Sequence, residues 1–186
     1  LDMAYSSSQM LAQMVDDLLD ISKLEAQKAY IRKTKTPVEE LVRQAVKQAS
    51  VLARREKVQL NIDVPKDLPD VSVDVRRVTR VLVNLLGNAT QHTPEGGRIS
   101  LQVSFQPVMK EVMFSVSDTG EGIPKEYHHK IFDKFVQVES QRSRKRSSTG
   151  LGLTFCKLVT EAHGGSIWLD SEPGVGSTFT ATFPVE

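Results

Sequence analysis

The sequence predicts an α+β protein: a two-layer sandwich with helices on one face of a mostly antiparallel sheet, preceded by one long amphipathic helix. Three observations carry this. Apolar residues recur at steps of three and four in several segments, which is the helical period. Between them lie segments in which apolar and polar residues alternate, the period of a half-buried strand. Strand segments follow one another in pairs split by turn residues, as hairpins require, and no internal repeat is visible.

Each element follows in order. The stretch to about Gln27 has neither Gly nor Pro and places Leu11, Met14, Val15, Leu18, Ile21 and Leu24 on one helical stripe. Residues 30–36 are polar and read as a strand or linker. Thr36-Pro37-Val-Glu39 predicts a helix start with Thr36 as N-cap, Pro37 in the first position and Glu39 closing a capping box. Leu41, Val42, Ala45, Val46 and Ala49 are its inward face. Residues 57–64 alternate as a strand, closed by Pro65 and Pro69. Asp74 is placed to cap a helix running through Val78, Val81, Leu82, Leu85 and Leu86 to Ala89, ended by Thr93-Pro94-Glu-Gly96-Gly97. Residues 98–105 and 111–117 form a predicted hairpin. Residues 125–138 read as a short helix and turn, and residues 139–149 as a polar, basic loop. A helix over 151–162 stops at His163-Gly164-Gly165, with Gly164 supplying a left-handed cap. Strands over 166–171 and 177–185 flank Glu172-Pro-Gly-Val-Gly176, and Trp168 is expected in the strand core.

Composition bounds the function classes. The chain has 186 residues, of which 39% are hydrophobic and 25% charged. That is the make-up of an ordinary globular protein with one sizeable core. A net charge of +1 argues against a nucleic-acid partner or direct membrane contact. Cys156 is the only cysteine, so no intrachain disulfide forms and a reducing, cytoplasmic location is expected. No apolar run approaches the ~20 residues that span a bilayer. The chain begins at Leu1 and reads as a fragment whose intact protein is free to carry a membrane anchor.

Three features carry chemistry. Asn84 and Asn88, four apart, share a helix face. A neutral amide oxygen suits Mg²⁺, which keeps waters and binds nucleotide phosphates, so Asn88 is the candidate metal ligand. Two surface amides are the plainer alternative. Asp118 ends a strand and precedes Thr119-Gly120-Glu121-Gly122. A carboxylate there accepts from an adenine amino group, where guanine presents a carbonyl, and the glycines let a planar base approach the backbone. Asp-x-Gly is also a common turn. Gly150-Leu-Gly152 opens a helix, whose exposed N–H groups and dipole seat a polyphosphate. Arg142, Arg144, Lys145 and Arg146, just upstream, are candidates for a lid over those phosphates. His128 and His129 are adjacent and make poor joint ligands. His163 is expected at its helix C-terminus, Gly174 and Gly176 in a hairpin turn, and Cys156 inward.

In order and spacing these motifs closely resemble the sensor histidine kinases of bacterial two-component systems, within the wider gyrase/chaperone/mismatch-repair ATPase superfamily. Asn84-Leu-Leu-Gly-Asn88-Ala-Thr-Gln-His-Thr-Pro94 resembles the asparagine box. Asp118-Thr-Gly-Glu-Gly122 and Ser148-Thr-Gly-Leu-Gly-Leu153 resemble the two glycine boxes, and Phe132-Asp-Lys-Phe135 the phenylalanine box. The resemblance spans nearly the whole chain. It implies a Bergerat-type ATP-binding fold over residues 37–186, a linker or first strand over 29–36, and the second helix of a dimerisation hairpin over 1–28. It implies ATP and Mg²⁺ as cofactors, with nucleotide among Asn84, Asn88, Gln91, His92, Asp118, Gly120, Gly122, Ile123, Phe132, Phe135, Arg146, Thr149, Gly150, Leu151, Gly152 and Leu153. Phe132 and Phe135 would anchor the lid, and the metal would sit on Asn88.

The implied partners are a second copy of the kinase through the hairpin, giving a homodimer, and the receiver domain of a response regulator. The implied activity is a protein histidine kinase passing the γ-phosphate of Mg-ATP to a histidine for relay to an aspartate. That histidine belongs to the first hairpin helix, and no histidine in such a context occurs here, so no catalytic residue is assigned within the chain. Gln91 replaces a frequently basic residue, and Ser148 replaces the first glycine of its box. His92 holds a commonly aromatic position near the base. The superfamily's hydrolases carry a Glu base where this chain has Asn84, which cannot take a proton. Kinase chemistry is therefore favoured over steady hydrolysis, and the hairpin helix disfavours an anti-sigma-type serine kinase. The competing expectation is a degenerate, non-enzymatic nucleotide-binding or dimerisation scaffold.

Overall fold

A computed structural model of the chain describes residues 2–26, 30–138 and 149–185, with side chains described from residue 14 onward. The elements in chain order are α1 (Asp2–Glu25), β1 (Thr34–Thr36), α2 (Val38–Arg55), β2 (Gln59–Asp63), β3 (Val71–Val73) and α3 (Val75–His92). There follow β4 (Arg98–Gln106), β5 (Glu111–Asp118), α4 (Lys125–His128), α5 (Gly152–Ala162), β6 (Ile167–Glu172) and β7 (Gly176–Pro184). Five strands form one sheet in the order β2-β4-β5-β7-β6, parallel only between β2 and β4. β1 and β3 make a separate antiparallel pair, Thr36 opposite Val71. This is the mixed, mostly antiparallel sheet with a helical layer that the alternation and hairpin signals predicted.

The alternation explains the layering. On β5, Val112, Phe114, Val116 and Asp118 turn inward, while Ser115 and Ser117 face outward. The outward hydroxyls pair across strands, Ser115 with Thr180 at 3.0 Å and Ser117 with Thr178 at 2.8 Å. Such cross-strand pairs are the unit of sheet stabilisation. The inward faces of β4, β5 and β7 meet the apolar stripe of α3, where Val78, Val81, Leu82, Leu85, Leu86 and Ala89 are all buried. α3 starts at Asp74, whose carboxylate accepts from the Arg77 N–H at 3.1 Å, as the sequence predicted. At its other end, the Thr90 and Thr93 hydroxyls donate to the Leu86 and Ala89 carbonyls. With the inward side spent on core, another side of α3 places Asn84, Asn88, Gln91 and His92 against a cavity.

Several expectations are corrected. The capping box at Thr36 does not form: Thr36 pairs in β1, its hydroxyl donates to the Thr34 carbonyl at 2.9 Å, and Pro37 is the N-cap with no side-chain bond. Strand pairing fixes the Thr36 backbone and turns its hydroxyl away from the helix. β3 had no sequence signal. Trp168 is 41% exposed rather than core, because β6 is an edge strand and this position points outward. The helix in 125–138 is limited to α4.

The α1 stripe divides. Ile21 and Leu24 are buried against the body, whereas Val15, Leu18 and Leu19 are exposed. Asp17 and Asp20 both pair with Arg80 of α3, and Lys134 meets Glu25 at 2.7 Å. Among the described residues, no helix is long and apolar enough to cross a membrane.

Candidate nucleotide site

A cavity of about 410 Å³ opens between α3, the loop after β5, the segment 131–138 and the start of α5. From α3 it takes Asn84, Asn88, Gln91 and His92, which share a face at steps of four, three and one. The end of β5 and its loop add Asp118, Glu121, Gly122 and Ile123, and the start of α5 adds Thr149, Gly150, Gly152 and Leu153. Most of the residues singled out in the sequence thus converge on one cavity, though they come from elements far apart in the chain.

At one end stands Asp118, 9% exposed. Its Oδ1 accepts from the Gly120 N–H at 2.8 Å. Burial pushes its carboxyl above the ordinary range, and hydrogen bonds from the Gly120 and Ser177 backbones pull partly back. The loop here needs glycine at Gly122, where φ is +69° and a Cβ would lie 2.0 Å from the Glu172 carbonyl oxygen. The Gly122 turn is thus packed directly on the Glu172 and Pro173 backbone.

At the other end, the Asn84 amide donates to the Gly152 carbonyl at 3.3 Å, tying α3 to the first residue of α5. The Leu151 N–H donates to the Thr149 hydroxyl at 3.3 Å, and the Gly150 carbonyl accepts from the Phe135 N–H at 2.9 Å. The first N–H groups of α5 have no intrahelical partner and point toward this end, which favours an anion. Between the two ends, Asn88 faces the cavity and its side chain makes no hydrogen bond to a described residue.

Other predicted site residues do not line the cavity. Gly120 acts through its N–H to Asp118. Leu151 is fully buried in the core. Phe132 packs edge-on against Phe179, centroids 6.1 Å apart, and so anchors its segment to the sheet. Phe135 is 56% exposed and held by its backbone bond to Gly150 instead of by its ring. Arg146, with Arg142, Arg144, Lys145 and Ser148, lies outside the described residues. Outside the binding reading, Cys156 is buried and its thiol is pushed up to about 12 by desolvation, so it is inert. His163 does bond its helix end, Nδ1 to the Val159 carbonyl at 2.7 Å.

The cavity also uses residues that sequence reasoning did not single out. Leu52, Val83, Ile131 and Val136 add apolar wall, and Glu121 and Ser177 are further polar residues of the lining, Ser177 directly opposite Asp118. Val83 was within reach, since it precedes Asn84 on the same helix. Ser177 was not, because it arrives by pairing with Asp118 across β5 and β7.

Comparison with known proteins agrees with this geometry. Residues 73–186 match the family described as histidine kinase-, DNA gyrase B-, and HSP90-like ATPase, and the chain belongs to that family. Within it, the similarity is to sensor kinases. The chain is 39% identical over 182 residues to the adaptive-response sensory kinase SasA of Thermosynechococcus vestitus, covering 98% of this chain and 47% of that protein. It is 34% identical over 185 residues to the sensor histidine kinase WalK of Bacillus subtilis, covering 96% of this chain and 29% of WalK. Full-length ShkA, solved in complex with AMPPNP, superposes with a TM-score of 0.84 at 30% identity, over 96% of this chain and 36% of ShkA. The chain thus spans less than half the length of these relatives. The fold is the Bergerat fold of histidine kinase catalytic domains.

Proposed function

We propose that the chain binds Mg-ATP and is the catalytic region of a sensor histidine kinase. The observation that carries this is the order of groups along one cavity: an acceptor-only carboxylate at Asp118, a free amide at Asn88, and the helix N-terminus at Gly150 and Gly152. Those groups match, in sequence, an adenine amino group, a phosphate-bound cation and a polyphosphate. The relation to kinases, including one solved with an ATP analogue, supports the same ligand.

The donor set fits Mg²⁺ held through the nucleotide. Among the described residues no group of three or more His, Cys, Asp or Glu forms a metal cage. Asn88 would contribute one amide oxygen, with phosphate oxygens and water completing the shell. When bound, the ion would neutralise phosphate charge. Asn84 cannot take a proton and is engaged with Gly152, so it supplies no base for hydrolysis. The protein's own contribution is positioning: Asp118 orients the base, and the α5 N-terminus holds the phosphates so that the γ-phosphate can reach a histidine on another helix.

In this reading α1 is the second helix of a dimerisation hairpin, and its exposed Val15, Leu18 and Leu19 meet a second copy of the kinase in the cytoplasm. The phosphohistidine then serves the receiver domain of a response regulator. Calorimetric titration tests the core of the proposal. Magnesium-aided binding of ATP and ADP, with GTP excluded, is expected, followed by phosphotransfer when a histidine-bearing hairpin is supplied. A folded chain that binds none of these nucleotides refutes it.

A further inference from the structure

One glycine of the cavity serves no purpose in the fold itself. Gly87 lies inside α3, and glycine is a poor helix former because it gives up the most backbone freedom. Its backbone is not left-handed. Among the described residues, no atom outside its own stretch of helix lies within 4 Å of where a Cβ would stand. Neither strain nor crowding therefore requires the missing side chain. Gly87 is half-buried and lines the cavity, so what its absence leaves is a hollow in the cavity wall. The neighbouring lining is apolar: Val83, one turn back on the same face of α3, and Leu52 from α2, which packs on α3.

The place of the hollow says what can fill it. Gly87 is about 140° around α3 from His92. The His92 carbonyl is the atom that a Cβ on Gly120 would strike, which puts His92 at the Asp118 end. Gly87 instead directly precedes Asn88 and lies within a turn of Asn84, where the cation and phosphates belong. Val83 and Leu52 offer nothing to a polyphosphate, whose complements are the amides and the α5 N–H groups. Residues 139–148 hold no apolar side chain that could occupy the space. The remaining visitor to this end is the imidazole that takes the γ-phosphate. Its nitrogen lone pair bonds the phosphorus as the bridging P–O bond breaks and ADP leaves with that electron pair; the ring's other nitrogen then yields its proton to water. The imidazole arrives on a helix, and an amphipathic helix carries apolar side chains three and four residues away.

Charge agrees with that visitor. The exposed charged residues of α2 are Arg43, Lys47, Arg54 and Arg55 against Glu39, a net of +3. The one hairpin helix in the chain is acidic: residues 1–25 hold Asp2, Asp16, Asp17, Asp20 and Glu25 against Lys23, a net of −4. Resting on the kinase reading above, we infer that the Gly87 hollow, flanked by Val83 and Leu52, is a socket for an apolar side chain of the histidine-bearing helix. Gly87 is thereby a positioning residue for phosphotransfer. The socket acts after nucleotide has bound, so filling it separates transfer from binding.

The experiment places Gly87→Ala and Gly87→Leu in the intact kinase. It measures the urea midpoint, the Kd for Mg-ATP, and the kcat and KM of autophosphorylation. Gly87→Ala is expected to unfold at or above the urea concentration of the unaltered kinase, because alanine is the better helix former. Both variants are expected to bind Mg-ATP within about twofold of the unaltered kinase and to keep its KM for ATP. The kcat of autophosphorylation is expected to fall about threefold for Gly87→Ala and about tenfold or more for Gly87→Leu, as a filled socket excludes its side chain. Should Gly87→Leu unfold, Gly87→Ala carries the test alone. The inference is overturned if a folded variant keeps the kcat of the unaltered kinase. It is equally overturned if ATP affinity falls in step with kcat, which would assign the hollow to the nucleotide. An unaltered kinase that binds no ATP or forms no phosphohistidine overturns the kinase reading itself, whereas a working kinase indifferent to Gly87 overturns only the socket.

Discussion

The Arg80 guanidinium lies 4.1 Å from the centroid of the Phe155 ring, joining α3 to α5 by a cation–π contact. The same guanidinium bonds Asp17 and, at 2.8 Å, Asp20. Arg80 is thus the point where α1, α3 and α5 meet. One turn further along α3, Asn84 holds Gly152 at the head of α5. The joint between α1 and the body and the joint between α3 and the phosphate end of the cavity are therefore built on one helix face.

Truncating this joint should loosen α1 before it unfolds the sheet. Arg80→Ala is expected to cost about 2–3 kcal/mol, from the lost stack and the charged hydrogen bonds. Arg80→Lys should cost less, about 1 kcal/mol, because it keeps the charge but not the planar fork. Urea denaturation measures the stability, and amide exchange over residues 14–25 reports the helix. An Arg80→Ala protein with unchanged midpoint and unchanged exchange would show that the joint contributes nothing.

The two glycines at opposite ends of the cavity should respond in opposite ways. At Gly122 the backbone is left-handed, and a methyl would meet the Glu172 carbonyl. Gly122→Ala is therefore expected to destabilise by about 3 kcal/mol. At Gly152 the nearest atoms to an added Cβ are those of the Asn84 amide, at 3.7 Å. Gly152→Ala should leave stability unchanged or raise it by up to about 1 kcal/mol. Its methyl enters the phosphate end, so its cost should fall on nucleotide affinity. Thermal unfolding together with ATP titration separates the two, and equal stability losses would contradict the geometry.

How far these positions could be read from sequence depended on how local their cause is. The stripe of α3 and the Asp74 cap are set by neighbours three or four residues away, and both were legible. Asn84, Asn88, Asp118 and Gly152 were legible because each sits at an element boundary or on a periodic face. β3 was not, since it is a three-residue strand paired only with β1, across Thr34–Val73 and Thr36–Val71, whereas β1 falls within residues 30–36, which read as a strand or linker. The same pairing overrode the Thr36 capping signal. Trp168 misled because strand propensity does not say whether β6 is an edge.

Asp118 should show a conflict between stability and binding. Burial raises its carboxyl above the ordinary value of 3.8, so the folded state favours the protonated form. Its contribution to stability is therefore complete below that ordinary value and is lost as pH rises through the raised one. Asp118→Asn removes the charge and should raise the urea midpoint at pH 7, with the advantage shrinking at pH 4. Its amide oxygen can still receive the Gly120 N–H. ATP affinity should nevertheless fall about ten- to a hundredfold with the loss of the ionised acceptor. A variant less stable than the parent at pH 7 would show that the carboxylate is better compensated than its burial implies.

His163 should set the acid limit of the fold. It is buried beneath the edge of Phe183, with ring centroids 5.7 Å apart, and its two nitrogens join α5 to the start of α3. Nδ1 bonds the Val159 carbonyl at 2.7 Å, and Nε2 accepts from the Asp74 N–H at 3.0 Å. The Asp74 bond requires Nε2 to be unprotonated, so the ring is neutral with its proton on Nδ1. Burial lowers its pKa most. The Val159 carbonyl opposes this, Lys33 and Arg77 add to it, and the Asp74 charge opposes it. The unfolded chain therefore takes a proton on this ring at a higher pH than the folded one. The ring's contribution is fully present above 6.5, the ordinary value, and is lost as pH falls through the lowered folded value. His163→Ala should cost about 2–3 kcal/mol at pH 8, from the cavity and the orphaned Asp74 N–H. It should also flatten the dependence of stability on pH below 6.5. Urea titrations of both proteins between pH 5 and 8 would reveal this. Parallel curves would mean that some other group sets the acid limit.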